Sequence, residues 1–216
     1  MNYLLSNDFE WKNIKSVGFD IDGTLYDEFD FIDQVYEEIS EIFKDYVINI
    51  KEIKIKLLHI WLEKGSSYPY IFKEIVDELI IDSINKECLI DNCLRIFRNF
   101  VPNIQLTERA KFLLNDLSSS YELFVVTDGS SLLQWNKINS LKLDQYVSKK
   151  NIIVTGDYGI LYSKPSTLSI SKLHLFNNNR IDCKQVVFIG DREVDLRFAD
   201  NTGFHFLDIK NLYIKF

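Results

Sequence analysis

Proline and glycine are scarce, three and eight in 216 residues, which excludes collagenous and proline-rich disordered classes. Only three cysteines occur, Cys88, Cys93 and Cys183. Their odd number, and the lack of metal-ligand spacing or a neighbouring histidine, points to free thiols in a reducing cytoplasm rather than to a disulfide framework or a zinc site. No apolar run approaches the roughly 20 residues of a membrane helix, and the opening MNYLLSNDFEWKNIK lacks the basic start, apolar stretch and small-residue cleavage site of a signal peptide. Excess positive charge is also missing. A formal charge of -7 argues against nucleic acid as a partner, because binding a polyanion needs clustered Lys and Arg.

What remains is an ordinary globular composition, 46% hydrophobic and 26% charged, long enough for one catalytic domain carrying an insertion. Short apolar runs end in polar clusters at SVGFD (16–20), ELFVVT (122–127), NIIVT (151–155) and QVVFIG (185–190). Near-continuous Val, Ile and Phe without polar alternation is the signature of parallel strands buried on both faces. Helix-period stretches lie between them, at 107–119, 131–141 and 165–176, with Ser131 and Gln134 at capping-box spacing and Pro165 at a first helical position. Strand and helix alternate, so the expected class is α/β with right-handed crossovers.

Residues 28–104 differ. Apolar spacings of three and four recur in four segments, at 31–46, 54–64, 70–80 and 86–100, with no strand pattern. The block reads as an inserted all-helical domain of about 75 residues. That leaves 1–27 and 105–216 as the catalytic core. Apolar helix faces in the block can be buried internally or against a second copy, so monomer and homodimer both fit.

The segment VGFDIDGTLYD delivers Asp20 and, two residues on, Asp22 at the end of an apolar strand. In extended chain, side chains two apart point the same way, so both carboxylates can face one centre. One carboxylate can attack phosphorus if positive charge offsets the developing anion, while a protonated partner gives its proton to the leaving oxygen and later takes one from water. A lone D-x-D-G is more often a turn or helix cap. A calcium loop fits less well, because TLYDEFD lacks the further ligands at the required spacing.

Three further segments add company. In FVVTDGSS, the Thr127 hydroxyl and the Asp128 and Gly129 amides precede a helix start and can hold phosphate oxygens, although a capped strand-to-helix turn would look the same. In YSKPS, Lys164 can bridge nucleophile and phosphate, whereas an isolated lysine is usually a solvated charge. In VVFIGDREVD, Asp191 and Asp195 can join Asp20 in an oxygen-rich site for a hard cation, or either can cap a helix.

In their order along the chain, Asp20-Ile-Asp22-Gly-Thr-Leu, Thr127-Asp-Gly, Lys164-Pro and Gly190-Asp191-x-x-x-Asp195 resemble the four signature motifs of the haloacid dehalogenase-like (HAD) superfamily. The resemblance implies a Rossmann-like parallel sheet with helices on both faces, and the helical block resembles a C1-type cap. It implies an aspartyl-phosphate mechanism with Mg²⁺ as cofactor and a small phosphorylated metabolite as substrate. Asp20 would be nucleophile and metal ligand. Asp22 would be the acid–base residue, its backbone carbonyl also on the metal. Thr127, Lys164 and the Asp128 and Gly129 amides would bind the phosphoryl group, with Asp191 a direct metal ligand and Asp195 holding a metal-bound water. Asp22 disfavours dehalogenation, since the dehalogenases lack an acid there. The phosphonate-cleaving branch, with Ala at that place and a Schiff-base lysine in its cap, also fits poorly.

TDGSSLLQWNKINSLKL is similar to the T-N-G…Q…K-I…L pattern of nucleotide and acylneuraminate phosphatases, with Asp128 where Asn is common. A phosphatase is the leading expectation. A phosphomutase, or an idle binding protein on the same fold, remain the alternatives. Within the helical block, Lys64, Ser66, Ser67 and Tyr68 at a helix–helix break are candidate substrate contacts or a solvated turn, and Trp61, Phe72 and Phe97 are assigned to the block's core.

Overall fold

The computed structural model describes residues 9–47, 49–79, 82–176 and 181–212. Residues 1–8 of the opening stretch, and Ile80 of the third helical segment, lie outside them. Among the described residues five strands form one sheet: β1 (Ser16–Phe19), β2 (Glu122–Thr127), β3 (Ile152–Val154), β4 (Val186–Gly190) and β5 (His205–Asp208), in the order β3-β2-β1-β4-β5. Every pairing is parallel. All residues of β1, β3 and β4 are buried, as the unbroken apolar runs require.

Both faces of the sheet are covered. Phe124 and Val126 point to one face, where they join Phe188, Phe198, Ala199 and Phe204 in a single buried cluster. Leu123 and Val125, of opposite parity, are equally buried on the other. The crossover helices are α5 (Glu108–Ser118), α6 (Ser131–Ser140) and α7 (Glu193–Thr202). Helix α5 buries Ala110, Leu113, Leu114 and Leu117, a 3.6-period stripe, and Thr107 caps it by accepting the Ala110 N–H at 3.1 Å.

β1 lies between β2 and β4, so Phe19 is level with both Val125 and Ile189. The chain therefore leaves three adjacent strands at one edge of the sheet. Strand order reverses about β1, which places the crevice expected of an open α/β sheet beyond Phe19.

Two sequence expectations fail here. Residues 165–176 form no α-helix but two 3-10 stretches, Thr167–Lys172 and His174–Phe176, and Pro165 lies ahead of the first rather than inside it. Ser and Thr compete for backbone hydrogen bonds: Ser166 accepts from the Leu168 N–H, and the Ser171 hydroxyl donates to the Leu168 carbonyl. The second failure is β5, which the sequence reading did not contain. It is an edge strand, half-buried throughout, and lacks the continuous apolar run by which the others were found.

The chain divides into two compact units, Met1–Glu28 with Ile104–Phe216, and Phe29–Asn103. The second is built on α1 (Glu28–Glu41), α2 (Ile50–Lys64), α3 (Ile71–Asp77) and α4 (Ser83–Asn99). Asn49 and Asp82 cap α2 and α4 with their side chains. Phe97 stands edge-on to Phe31 and Phe72, with centroids 5.4 and 6.0 Å apart, while half-buried Trp61 donates its indole N–H to Ser66 Oγ at 2.7 Å. Lys64 and Tyr68 both engage Glu74, so three of the four residues at the helix break are tied within this unit.

Candidate active site

Asp20 follows β1 directly, and its N–H continues the ladder to the Ile189 carbonyl at 3.0 Å. Its Oδ1 receives Lys164 Nζ at 2.6 Å, and the same ammonium reaches Asp195 Oδ1 at 2.5 Å. Lys164 is only 5% exposed. A lysine so buried is tolerated only against opposite charge, and here two carboxylates converge on it.

Asp195, fully buried in the first turn of α7, accepts the Asp191 and Arg192 backbone N–H groups at 3.3 and 3.2 Å through Oδ2. It thus caps the helix and holds the lysine at once. Gly190 makes this approach possible, since a β-carbon there would lie 2.5 Å from that of Asp195. Asp20, Asp191 and Asp195 each offer a carboxylate oxygen within 4.8 Å of the others. Asp20 Oδ2 and Asp191 Oδ1 are buried without a hydrogen-bond partner. Lys210 binds the carbonyl and Oδ2 of Asp191, at 2.7 and 3.2 Å. An all-oxygen set with two unsatisfied buried oxygens suits a hard divalent cation.

Asp22 takes other partners. β1 ends at Phe19, and Asp22 instead enters an isolated bridge with Tyr26. Its Oδ1 accepts Lys137 Nζ at 2.6 Å and the Tyr26 hydroxyl, and its Oδ2 accepts Gln134 Nε2 at 3.1 Å. Thr127, at the end of β2, donates its hydroxyl to Gln134 Oε1 at 3.0 Å. The expected capping box is therefore absent. Ser130 is the N-cap of α6, and Gln134 turns inward because two buried polar groups there require its amide. Gly129, at φ 139°, leaves the room, as a β-carbon would lie 2.7 Å from Gln134 Nε2.

Asp128 points its carboxylate away from this group. Oδ1 accepts the Thr155 hydroxyl at 2.9 Å and the Lys164 backbone N–H at 3.1 Å. The acid that stands where Asn is common thus braces the loop that carries Lys164.

A family model for haloacid dehalogenase-like hydrolases matches residues 17–209. The chain belongs to that family. Among curated relatives of this hydrolase, a glyceraldehyde 3-phosphate phosphatase of Methanocaldococcus jannaschii is 25% identical over 194 residues, covering 88% of this chain and 82% of its own. Another of that name, from Methanothermobacter thermautotrophicus, is 27% identical and covers 88% and 83%. A HAD-superfamily hydrolase structure from Geobacter sulfurreducens superposes with a TM-score of 0.67 at 21% identity, covering 90% of this chain and 86% of that one.

Two opposite electrostatic environments coexist in this hydrolase. Burial pushes the Asp20 carboxyl up to about 7 against the pull of Lys164, with Asp195 adding like charge. Burial raises Asp191 too, opposed by Lys210. Asp22 is buried as well, yet the Lys137 charge and the hydrogen bonds from Lys137, Tyr26 and Gln134 overcome burial and hold it below the usual carboxylate range. Gln134 and Lys137 stand at the Q and K of the phosphatase-like pattern in 127–143, but neither they nor Tyr26 had an expected role at the site. The signal was present in α6, whose buried stripe is Leu133, Gln134, Lys137 and Ile138: two polar residues occupy positions that packing alone would fill with apolar ones.

Proposed function

We propose that this hydrolase cleaves small phosphomonoesters, of the sugar-phosphate class, through an aspartyl-phosphate on Asp20. The observation that carries the reading is Lys164 clamped between Asp20 and Asp195, beside two orphaned carboxylate oxygens, at the strand edge that also bears Thr127 and the start of α6. The curated relatives support the substrate class, with a three-carbon sugar phosphate the first compound to test. The enzyme would work in the cytoplasm, in keeping with three cysteines that form no disulfide.

In this mechanism an Asp20 carboxylate oxygen attacks phosphorus, the bond from phosphorus to the ester oxygen breaks, and the leaving alkoxide takes a proton from Asp22. Water then attacks the phosphoryl group and gives a proton back to Asp22, which releases phosphate and restores Asp20. Asp22 is ionised in the resting site. A phosphoryl dianion bound beside it adds like charge and raises its proton affinity, so that as substrate binds it takes from solvent the proton it then donates. Lys164 and the N–H groups at the start of α6 hold phosphoryl oxygens.

Asp20, Asp191 and the Asp22 carbonyl would hold Mg²⁺, which when bound supplies the counter-charge that lets a carboxylate approach a phosphoryl dianion. Asp195, its oxygens taken by Lys164 and two backbone N–H groups, would support the metal's water. The unit Phe29–Asn103 would serve as the cap that selects the leaving group.

Phosphate release from glyceraldehyde 3-phosphate and p-nitrophenyl phosphate, with Mg²⁺ and then with excess EDTA, tests this. Turnover lost on chelation and restored by Mg²⁺ is the expected result. Absence of release across a broad phosphate panel, or release only when a sugar bisphosphate is added, would defeat the hydrolase reading, the latter in favour of a mutase.

A further inference from the structure

Helix α6 presents its N-terminus toward the site and, one turn in, carries two polar side chains on its buried stripe. Gln134 and Lys137 are three residues apart and share a helix face. Each is only 2% exposed. Both end on the same carboxylate, Gln134 on Oδ2 and Lys137 on Oδ1 of Asp22, with the Tyr26 hydroxyl as third donor. A buried ammonium has a high desolvation cost and contributes little net stability even when paired, so packing does not explain Lys137. Its side chain is too enclosed to take a bulky substrate. In the structure the two residues fix both oxygens of one acid.

We infer that Lys137 and Gln134 are positioning residues that hold the Asp22 carboxyl in the orientation from which it protonates the leaving oxygen. The inference rests on the phosphatase reading of the site. Three donors from two elements leave the carboxylate one orientation, and the transfer of a proton is sensitive to misplacement of this kind. Gln134 adds a link to the phosphate side. Thr127 has a single hydroxyl proton and gives it to Gln134 Oε1. When Thr127 donates that proton to a phosphoryl oxygen, the amide loses a partner, so occupancy of the phosphate site is felt at Asp22 through one side chain.

A helper of the proton donor is distinguished from a structural ion pair by the leaving group. A nitrophenolate departs without a proton, whereas an alkoxide does not. Lys137→Met is therefore compared with wild type on p-nitrophenyl phosphate and on an alkyl ester, glycerol 3-phosphate, with saturating Mg²⁺. The expected result is a kcat loss at least about tenfold greater for the alkyl ester than for the aryl ester, the magnitude of a mispositioned acid, with KM little changed. Lys137→Arg should recover most of the alkyl activity. Gln134→Leu, which removes no charge and so guards against a Lys137 variant that does not fold, should shift the same ratio in the same direction, by about threefold or more.

Equal losses on both esters would mean a structural pair only and would overturn the inference, as would an unchanged ratio in Gln134→Leu. A wild type inert on both esters and across a broad phosphate panel would instead defeat the phosphatase reading and the catalytic role with it. Crystal structures of the variants judge the positioning separately. An Asp22 carboxylate that stays in its wild-type place in both variants would show that neither residue holds it.

Discussion

Both units carry surface ion pairs, Lys111 with Glu108 and Arg197 with Glu193 in the core unit, but the core unit also buries charge against charge. In the helical unit, Lys56 pairs with Glu78, Lys64 with Glu74 and Lys73 with Asp77, all on the surface. In the core unit, Lys164 meets Asp20 and Asp195, and Lys137 meets Asp22, with side chains 10% exposed or less. Surface pairs are screened and loosely held. Buried ones require desolvation that their attraction only roughly repays. A fold seeking stability alone would place apolar residues there, so the buried set is what packing by itself does not explain.

That contrast is broken most sharply at Asp20. Asp20→Asn should lower turnover by about 10³-fold or more, on the scale of a lost nucleophile, measured as phosphate release with Mg²⁺ present. The same variant carries a pH signature. Folded Asp20 titrates near 7, well above its unfolded value. Between the two values the folded state binds more protons, so the wild type loses stability as pH rises through that window. Metal-free Asp20→Asn has no such term. Its stability relative to wild type should climb by an order of 1–3 kcal/mol between pH 4 and 7 and then level off. Urea unfolding in EDTA checks this, and a pH-independent difference would remove the raised pKa from the account.

Lys164→Met tests the buried pairs directly. It leaves two facing carboxylates without their cation and should cost about 3–5 kcal/mol in unfolding free energy above pH 7, together with most activity. A loss no larger than that of a surface pair would erase the distinction between the units.

Asp128 sharpens the picture at intermediate scale. Asp128→Ala removes the acceptor of the Thr155 hydroxyl and the Lys164 N–H, at a cost of about 1–3 kcal/mol. Asp128→Asn keeps a carbonyl oxygen for both donors and should restore most of that stability. If Asn and Ala behave alike, the brace depends on charge rather than on hydrogen-bond acceptance.

At the small end lies Lys73→Ala in the helical unit, where the pair with Asp77 is solvent-exposed. No resolvable change in the urea midpoint is expected, and a clear one would show that surface pairs there form a network.

Four strands, the edge strand β3 among them, were legible in the sequence because strands buried on both faces must be apolar throughout. Four such runs locate β1 to β4 to within a residue or so. The edge strand β5 escaped because half-burial removes that constraint. The stretch after Pro165 misled because helical spacing survives in 3-10 turns whose Ser and Thr side chains bind the backbone. Asp20, Asp22, Thr127 and Asp191 were visible because each stands at or just beyond a strand end or beside a glycine, whereas Lys164 before Pro165 and Asp195 four residues after Asp191 were visible only by their order and spacing relative to these.

Residue identity and spacing by themselves determined the α/β class and the helical character of the insertion, and singled out the acids and lysine that the fold brings together. Tertiary structure decided which acid meets which base. No local rule tells Lys164 to bind Asp20 144 residues away, or Lys137 to bind Asp22 115 residues away. Those pairings follow from strand order and helix docking, which also turned Gln134 from a presumed cap into a contact of Asp22 and aimed Asp128 at Thr155. Chain geometry sets what a segment can become within a turn or two. The electrostatics of a buried carboxylate depends on whatever the fold carries to within about 3 Å of it.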